Sequence, residues 1–344
     1  MTGGKADDCM TKDAVLAILK KSGDYVSGER ISASLGVSRA AINAAVKTLR
    51  AEGYEILSAT NRGYALVNAP DRLTAGDLLS CLPEERMKRV LCLDSVDSTN
   101  RRLREMAYDG APEGQVVLAN EQTGGRGRLG RSFASPRDKG IYLSILLRPE
   151  GTPADSVAIT AWTAVAVRRA IQKVCGVSPS IKWVNDLVLN GKKLCGILTE
   201  MSVESESGRV QSVIVGIGLN VNETPADFPE EVRQVATSLA AETGKTCARA
   251  PLAAEIIRQM DRLRADWPQE KAAYLEAYRT GNLTVGREVC ITTANGERHA
   301  EAVAIREDFS LAVRYADGRT ENLLGGDVSV RGIYDSGASK GAES

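Results

Sequence analysis

The hydrophobic pattern near the N-terminus predicts three helices. Apolar residues over 14–19 recur at helical spacing, and Ile31 and Leu35 lie one turn apart on a second helix. Gly36 supplies a turn, after which Ser38 is a natural N-cap for a third helix. The third helix is predicted to bury Ile42, Val46 and Leu49 and to expose Arg39, Asn43, Lys47 and Arg50.

The next pattern is that of a hairpin. Two short alternating segments, 54–58 and 63–67, flank the turn segment 59–62. Two helices joined by a glycine turn and followed by a hairpin are typical of a winged helix-turn-helix, whose second helix enters the major groove of DNA. Over 20–66, seven basic and four acidic residues give a net charge of +3, and a helical protein-interaction module is the alternative. The predicted DNA-binding residues are Ser38, Arg39, Asn43, Lys47, Arg50 and Arg62.

The middle of the chain alternates helical patterns with apolar strands. This alternation predicts a mixed α/β domain over 72–282 with a β-sheet at its core. A long buried helix is predicted over 158–174. The predicted strands are 90–93, 116–119, 141–147, 180–189, 193–201 and 212–220.

The last part of the chain changes to short alternating strands. Asn295-Gly296 and Asp317-Gly318 are strong hairpin signals, so 283–335 is predicted to form a small antiparallel barrel. The segment 336–344 is rich in glycine, serine and alanine and is predicted to be disordered. The predicted fold is therefore α+β, with a winged helix-turn-helix over 1–67, the α/β domain, the barrel and the tail.

Composition narrows the setting of the protein. The 344 residues include 44 basic and 44 acidic side chains, so any preference for an anionic partner is local. No apolar run approaches the roughly 20 residues that a bilayer requires, and the N-terminus lacks an apolar secretory signal. The seven cysteines contain no CxxC pair, which favours reduced thiols and a cytoplasmic location. The single histidine, His299, is interpreted as a surface residue of a late strand.

The most specific segment for chemistry is rich in glycine and arginine. Segment 121–131 reads Glu-Gln-Thr-Gly-Gly-Arg-Gly-Arg-Leu-Gly-Arg and follows a strand. Glycines let backbone N–H groups approach an anion, and arginines donate paired, charge-assisted hydrogen bonds to phosphate. No Gly-Lys-Ser/Thr sequence follows, so the segment is not a Walker A loop. A flexible basic RNA-binding loop is the alternative.

A second segment, 182–198, predicts a tight hairpin. The Asn-Gly pair at 190–191 fixes a two-residue turn. Counting outward from this turn pairs Lys193 with Val188 and Cys195 with Asp186.

The alternation of side chains in this hairpin predicts a charged cluster. Lys193 is expected to share a face with Lys182 and Asp186, whereas Asn185 is expected on the opposite face. Three charged groups on a core sheet require a ligand or one another as partners. A structural ion-pair cluster is the alternative to a ligand site.

Two shorter segments add polar groups. Segment 97–100, Asp-Ser-Thr-Asn, begins a helical pattern, where its side chains can cap the helix or bind a polar ligand. Segment 216–220, Gly-Ile-Gly-Leu-Asn, ends a strand and is weak evidence on its own.

Together, in this order and spacing, these segments resemble the motif set of biotin–protein ligases. The resemblance covers the α/β domain and the barrel, for which it implies an SH3-like form. The winged helix in front resembles that of the bifunctional members, which also repress biotin biosynthesis genes. Two departures stand out: Phe133 replaces a common tryptophan, and Val184 replaces a frequent proline.

The resemblance also implies roles for individual residues. Biotin would contact Ser98, Thr99, Asn100, Gln122, Arg126, Gly127, Arg128 and Lys193. The nucleotide would contact Arg128, Arg131, Lys182, Asn185, Asp186 and Asn220. The catalytic groups would be Lys193, Arg126 and Arg128, with Asp186 as a ligand of Mg²⁺.

The implied activity is ATP-dependent formation of biotinyl-5′-AMP and transfer of biotin to a lysine of a biotin carboxyl carrier protein or domain. The implied partners are that carrier, operator DNA of biotin genes, and a second copy of the chain in an adenylate-bound homodimer. A lipoate–protein ligase of the same fold is one alternative. A transcription regulator that senses a ligand without catalysis is another.

Overall fold

The computed structural model describes residues 3–149, 155–204, 209–293 and 296–333. The segment predicted to be disordered, 336–344, lies outside these residues. None of the helices in these ranges combines the length and the apolar character needed to cross a membrane.

The N-terminal residues form three helices and a two-stranded hairpin, as predicted. Ser38 caps the third helix by accepting a hydrogen bond from the backbone N–H of Ala41 at 3.2 Å. Gly36 ends the second helix with a φ of 65°, a left-handed conformation that glycine adopts without strain. The predicted inward residues Ile31, Ile42, Val46 and Leu49 are buried together. The elements are α1 (Gly3–Ser22), α2 (Gly28–Leu35), α3 (Arg39–Ala51), β1 (Glu55–Ala59) and β2 (Gly63–Asn68).

The central residues form a seven-stranded sheet with helices on both faces. The strands are β3 (Val90–Leu93), β4 (Val116–Ala119), β5 (Ile141–Leu147), β6 (Ser180–Lys182), β7 (Asp186–Leu189), β8 (Lys192–Val203) and β9 (Val210–Leu219). The helices are α4 (Ala75–Leu79), α5 (Glu84–Met87), α6 (Thr99–Tyr108), α7 (Ser156–Cys175), α8 (Glu230–Arg233), α9 (Leu239–Thr243), α10 (Arg249–Asp266) and α11 (Lys271–Gly281).

The sheet order is β3-β4-β5-β9-β8-β7-β6, with β3 and β4 parallel and the other neighbours antiparallel. Leu103 of α6 packs on one face, in a small cluster with Val117, Leu146 and Ile214. The long helix α7 is buried as predicted and belongs to the larger core cluster, where it packs against α10.

One predicted strand is wrong. The segment 180–189 forms two strands, β6 and β7, which pair with each other across a turn at 183–185. The turn is anchored from outside the sheet, because the backbone N–H of Trp183 donates to the Thr284 hydroxyl and its indole N–H donates to the Phe309 carbonyl, both at 2.9 Å. Alternation along one continuous strand therefore does not apply to this segment.

The C-terminal residues form a five-stranded antiparallel sheet. Its strands are β10 (Glu288–Thr293), β11 (Gly296–Ile305), β12 (Leu311–Arg314), β13 (Thr320–Leu323) and β14 (Asp327–Val330), in the order β13-β12-β11-β10-β14. The predicted turn at 317–318 connects β12 to β13. Thr293 pairs with Gly296 at the other predicted turn, where Asn295 lies outside the described residues. His299 is an exposed residue of β11, as predicted.

A buried carboxylate joins the winged helix to the central part of the chain. Asp77 of α4 is fully buried, forms an ion pair with Lys20 of α1, and accepts a hydrogen bond from the Tyr54 hydroxyl at 3.2 Å. Asp77 also closes a capping box with Thr74. This cluster fixes α1 against α4.

Candidate functional site

One cavity of about 470 Å³ contains every pocket residue that the resemblance implied. These residues are Ser98, Thr99, Asn100, Gln122, Arg126, Gly127, Arg128, Arg131, Lys182, Asn185, Asp186, Lys193 and Asn220. Ile214, Gly216 and Gly218 share one face of β9, because every second residue of a strand points to the same side. Ile214 packs against α6 on this face, and the two glycines line the cavity next to it. Residues of β10 and β14 close one side.

A buried polar network lies at the start of α6. The Thr99 backbone N–H and hydroxyl both donate to Gln122 Oε1, at 2.9 and 3.0 Å. The Asn100 amide donates to Glu200 Oε2 at 2.8 Å, and Asn100 is 4% exposed. The Ser144 hydroxyl lies within 2.8 Å of the Thr99 hydroxyl oxygen and 2.6 Å of Asn100 Oδ1. Buried groups with all these partners are held in one orientation.

Two members of this network, Ser144 and Glu200, were not identified from the sequence patterns, and they contact the cavity residues Thr99 and Asn100. Ser144 is a small polar residue between aliphatic side chains of strand β5, and this break in the apolar pattern was the available signal. Ser98 is the N-cap of α6, with its oxygen 3.5 Å from the Arg101 backbone N–H, so the capping interpretation holds for this residue.

Glycines allow the network and an aromatic ring to approach β9 closely. A Cβ atom at Gly216 would lie 2.3 Å from Asn100 Oδ1, and one at Gly218 would lie 2.5 Å from the ring of Phe133. Neither distance is sterically possible without displacement of the neighbour. Phe133, the departure noted in the sequence, therefore forms part of the pocket wall against Gly218.

The glycine-arginine segment crosses from the pocket to the C-terminal sheet. Arg128 donates to Asn185 Oδ1 at 2.9 Å and to the Gly326 carbonyl at 3.0 Å. Arg131 forms an ion pair with Asp327. The two guanidinium groups thus border the cavity, and their partners come from the turn between β6 and β7 and from the start of β14.

A cluster of two ammonium groups and one carboxylate lies beside these arginines. Lys193 Nζ is 2.8 Å from Asp186 Oδ1, and Lys182 pairs with Asp186 across β6 and β7. The predicted shared face of the three residues is confirmed. Lys182 is 8% exposed, and burial lowers its pKa, against the opposing effect of Asp186. The two ammonium groups and one carboxylate give the cluster a net charge of +1, which favours an anion in the cavity.

The predicted hairpin register is correct at its turn and wrong further on. Lys193 pairs with Val188 as predicted, but Cys195 pairs with Leu187 instead of Asp186. A bulge in β8 at Leu194 inserts one residue and shifts the register. Alternation along the strand predicted Asn185 on the face opposite Lys193 and Asp186. This prediction was wrong, because Asn185 lies in the turn at 183–185 and lines the same cavity as those two residues.

Asn220 lies at the end of β9, where it is buried. Its amide donates to the Thr237 carbonyl at 2.9 Å, and its backbone N–H donates to the Leu194 carbonyl at 3.0 Å. Asn220 also lines the cavity.

The predicted DNA-contacting residues of α3 and the hairpin are exposed, but two of them also bond within the winged helix. Arg39, Asn43, Lys47, Arg50 and Arg62 are exposed on α3 and the hairpin. Arg50, however, donates to the Ile56 carbonyl at 2.6 Å and to the Ser58 hydroxyl at 2.7 Å, so it attaches β1 to α3. Asn43 Oδ1 accepts from the Tyr64 hydroxyl at 2.5 Å.

Comparison with known proteins gives matches along most of the chain. Residues 92–220 match the Biotin/lipoate A/B protein ligase family, and residues 11–65 match an HTH domain. The bifunctional ligase/repressor BirA of Bacillus subtilis is 34% identical over 93% of this chain and 98% of its own length. The corresponding protein of Escherichia coli is 29% identical over 92% and 96%. The biotin protein ligase from Aquifex aeolicus in complex with biotin and ATP is 29% identical, covers 71% of this chain and 99% of its own, and has a TM-score of 0.61.

Proposed function

The chain belongs to the family of bifunctional biotin ligase/repressor proteins, and from this premise we propose how its pocket and its winged helix act. It is a biotin–[acetyl-CoA-carboxylase] ligase that uses biotin and ATP, with a DNA-binding repressor domain. The observation that carries the site assignment is the meeting of Lys193, Asp186 and Lys182 with Arg128 at one end of the cavity, opposite the polar network of α6.

The end of the cavity lined by hydroxyl and amide groups suits the ring system of biotin. A ureido group offers two N–H donors and one carbonyl acceptor, which hydroxyl and amide side chains can match. Ser98, Thr99, Asn100 and Gln122 supply such groups, and Ser144 and Glu200 orient them. Phe133 and the glycines of β9 give the ring an apolar, flat surface.

The cationic end suits the biotin carboxylate and the α-phosphate of ATP. In the first step a carboxylate oxygen attacks the α-phosphorus and pyrophosphate leaves, giving biotinyl-5′-AMP. Lys193, Arg126 and Arg128 neutralise the charge that develops on the phosphate oxygens. Arg131, Lys182, Asn185 and Asn220 contact the nucleotide. In the second step the acceptor lysine attacks the biotinyl carbonyl and AMP leaves with the electron pair of the broken C–O bond.

Asp186 fits the role of a Mg²⁺ ligand. Mg²⁺ takes oxygen ligands and is commonly held by one or two carboxylates together with substrate phosphates. Asp186 presents a carboxylate at the cationic end, close to where those phosphates would lie. When bound, the ion supplies further charge neutralisation at the phosphates.

A mass assay tests the enzymatic proposal. The full chain is incubated with ATP, Mg²⁺ and a biotin carboxyl carrier domain, with either biotin or lipoate. We expect a mass gain with biotin alone; a gain with lipoate alone would indicate a lipoate ligase, and no gain with either would indicate a regulator without catalysis.

Substitution of Lys193 tests the residue assignment. Lys193→Ala should reduce biotinyl-adenylate formation, measured as pyrophosphate release, by at least about 100-fold, the typical loss for an electrostatic group at a developing charge. Lys192→Ala is the matched control, because Lys192 is the exposed neighbour in the same strand. Equal rates for the two variants would contradict the role of Lys193.

The regulatory activity depends on two copies of the chain. A winged helix reads one half-site, so a repressor of a two-half-site operator acts as a homodimer. We propose that biotinyl-5′-AMP favours this dimer, which requires that it bind the dimer more tightly than the monomer. Analytical ultracentrifugation and operator binding with and without the adenylate test this coupling, and no change in either would contradict it.

The C-terminal sheet supports an SH3-like barrel. Its five short strands pair antiparallel, and a bulge in β11 between Ala302 and Ala304 provides the bend that a small barrel needs. Its position beside the cationic end of the cavity also lets it contribute Asp327 and Gly326 to the glycine-arginine segment. The carrier domain and operator DNA complete the expected partners.

A further inference from the structure

Two cysteines distant in sequence lie side by side away from the ligand pocket. Cys175 is the last residue of α7, and Cys247 lies two residues before α10. Their Sγ atoms are 3.0 Å apart, across 72 residues of chain. Both residues are free thiols and partly exposed, so a small oxidant in solution can reach them.

The backbone on both sides of this pair is held in place. Gly176 follows Cys175 in a left-handed conformation and donates to the Gln172 carbonyl, which ends the helix. The Asn222 side chain clamps Cys247, accepting from its backbone N–H and donating to its carbonyl, both at 2.9 Å. The sulfur atoms must approach by about 1 Å to reach the bond length of a disulfide.

The surroundings favour a covalent bond over a metal site. A structural zinc site uses four ligands, and a catalytic one uses three. Cys290, Glu297 and His299 form the group of side chains in the described ranges that lie close enough to share a metal ion. Neither Cys175 nor Cys247 belongs to this group.

We propose that Cys175 and Cys247 form an intramolecular disulfide when the protein meets hydrogen peroxide. The Cys175 thiolate attacks one peroxide oxygen, which breaks the O–O bond and releases water after protonation, leaving a sulfenic acid. The Cys247 thiol then attacks this sulfur, and the sulfenic oxygen leaves as a second water. Two thiols and one hydrogen peroxide thus give one disulfide and two waters.

The hydrogen bond between the two thiols favours Cys175 as the initial nucleophile. This hydrogen bond lowers the pKa of the Cys175 thiol, whereas the same contact raises the pKa of Cys247. The thiolate is the reactive form, so the two residues have different parts in the reaction. Cys247→Ser should therefore accumulate sulfenic acid at Cys175, detected as a dimedone adduct, and Cys175→Ser should give little adduct at Cys247.

Trypsin releases the two cysteines on separate peptides, which makes the bond directly observable. Cleavage after basic residues gives peptides 174–182 and 246–249, each with one cysteine. After treatment with hydrogen peroxide and alkylation of the remaining thiols, we expect the two peptides to be joined with the loss of two hydrogens. Cys290→Ser is the control, and it should retain the link because Cys290 lies in the other sheet.

The bond should also raise the melting temperature of the full chain. It closes a loop of 72 residues, and such a closure reduces the freedom of the unfolded chain. We expect Tm to rise by about 5 °C on oxidation and to return to its starting value after dithiothreitol, with no rise in Cys175→Ser. A link between different chains, sulfinic acid without a link, or an unchanged Tm in linked wild-type protein would overturn the proposal.

Discussion

Glu223 makes the stability of the seven-stranded sheet dependent on pH. The residue is 1% exposed, and its carboxyl group accepts from the Val221 backbone N–H at 2.6 Å and lies 3.3 Å from the Tyr142 hydroxyl. Burial raises the pKa of Glu223 from 4.5 to about 7, and the hydrogen bonds and Arg249 only partly oppose this. The folded protein therefore binds a proton here more tightly than the unfolded chain does.

The sign and size of the effect follow from this difference. Stability due to the protonated group is fully present below pH 4.5 and is lost as pH rises through about 7. Each pKa unit corresponds to about 1.4 kcal/mol, so the full loss is about 3 kcal/mol in the free energy of unfolding. Glu223→Gln cannot ionise and should lack this loss.

Urea unfolding followed by tryptophan fluorescence measures the effect. Trp162, Trp183 and Trp267 all belong to the residues around the seven-stranded sheet, so the signal reports unfolding of that part. The free energy of unfolding of the wild type relative to Glu223→Gln should fall between pH 4.5 and about 7. Glu231→Gln, at an exposed position nearby, should follow the wild type. Parallel curves for wild type and Glu223→Gln would refute the reasoning.

Four further substitutions test other parts of the structure. Gly216→Ala places a Cβ atom 2.3 Å from Asn100 Oδ1 and should weaken biotin binding about tenfold or more in calorimetry; an unchanged Kd would contradict the close approach. Arg249→Met removes a fully buried guanidinium that donates to two backbone carbonyls and two carboxylates. We expect it to lower the free energy of unfolding by about 3 kcal/mol in urea, and a loss well below about 1 kcal/mol would argue against it. Lys47→Ala should weaken operator binding and reduce its salt dependence by about one ion without changing Tm. Arg50→Ala should lower both affinity and Tm, because Arg50 holds the hairpin; equal Tm values for Lys47→Ala and Arg50→Ala would contradict that distinction.

Features set by local chemistry could be predicted from the sequence. The cap at Ser38 and the glycine turn before it determine where α3 starts, and both depend on neighbouring residues alone. The Asn-Gly turn fixed the pairing of Lys193 with Val188 for the same reason. The motif spacing likewise selected residues that all border one cavity.

Features set by contacts distant in sequence could not be predicted in this way. The turn after Lys182 depends on packing against another segment, since Trp183 is anchored to residues of the C-terminal part of the chain. The bulge at Leu194 lies where the backbone of Lys193 and Leu194 bonds to Val235 and Asn220. Glu200 reaches Asn100 from a strand 100 residues later. The periodicity of a helix or strand contains no information about such partners.

The contacts of Arg128 and Arg131 with Gly326 and Asp327 have a consequence for ligand affinity. The arginines proposed to meet phosphate already hold oxygen partners of their own chain. A phosphate that binds there exchanges with an internal competitor, so its observed affinity is the difference between two sets of contacts. The C-terminal sheet can therefore influence the affinity for the nucleotide through the strength with which the Asp327 carboxylate retains the Arg131 guanidinium.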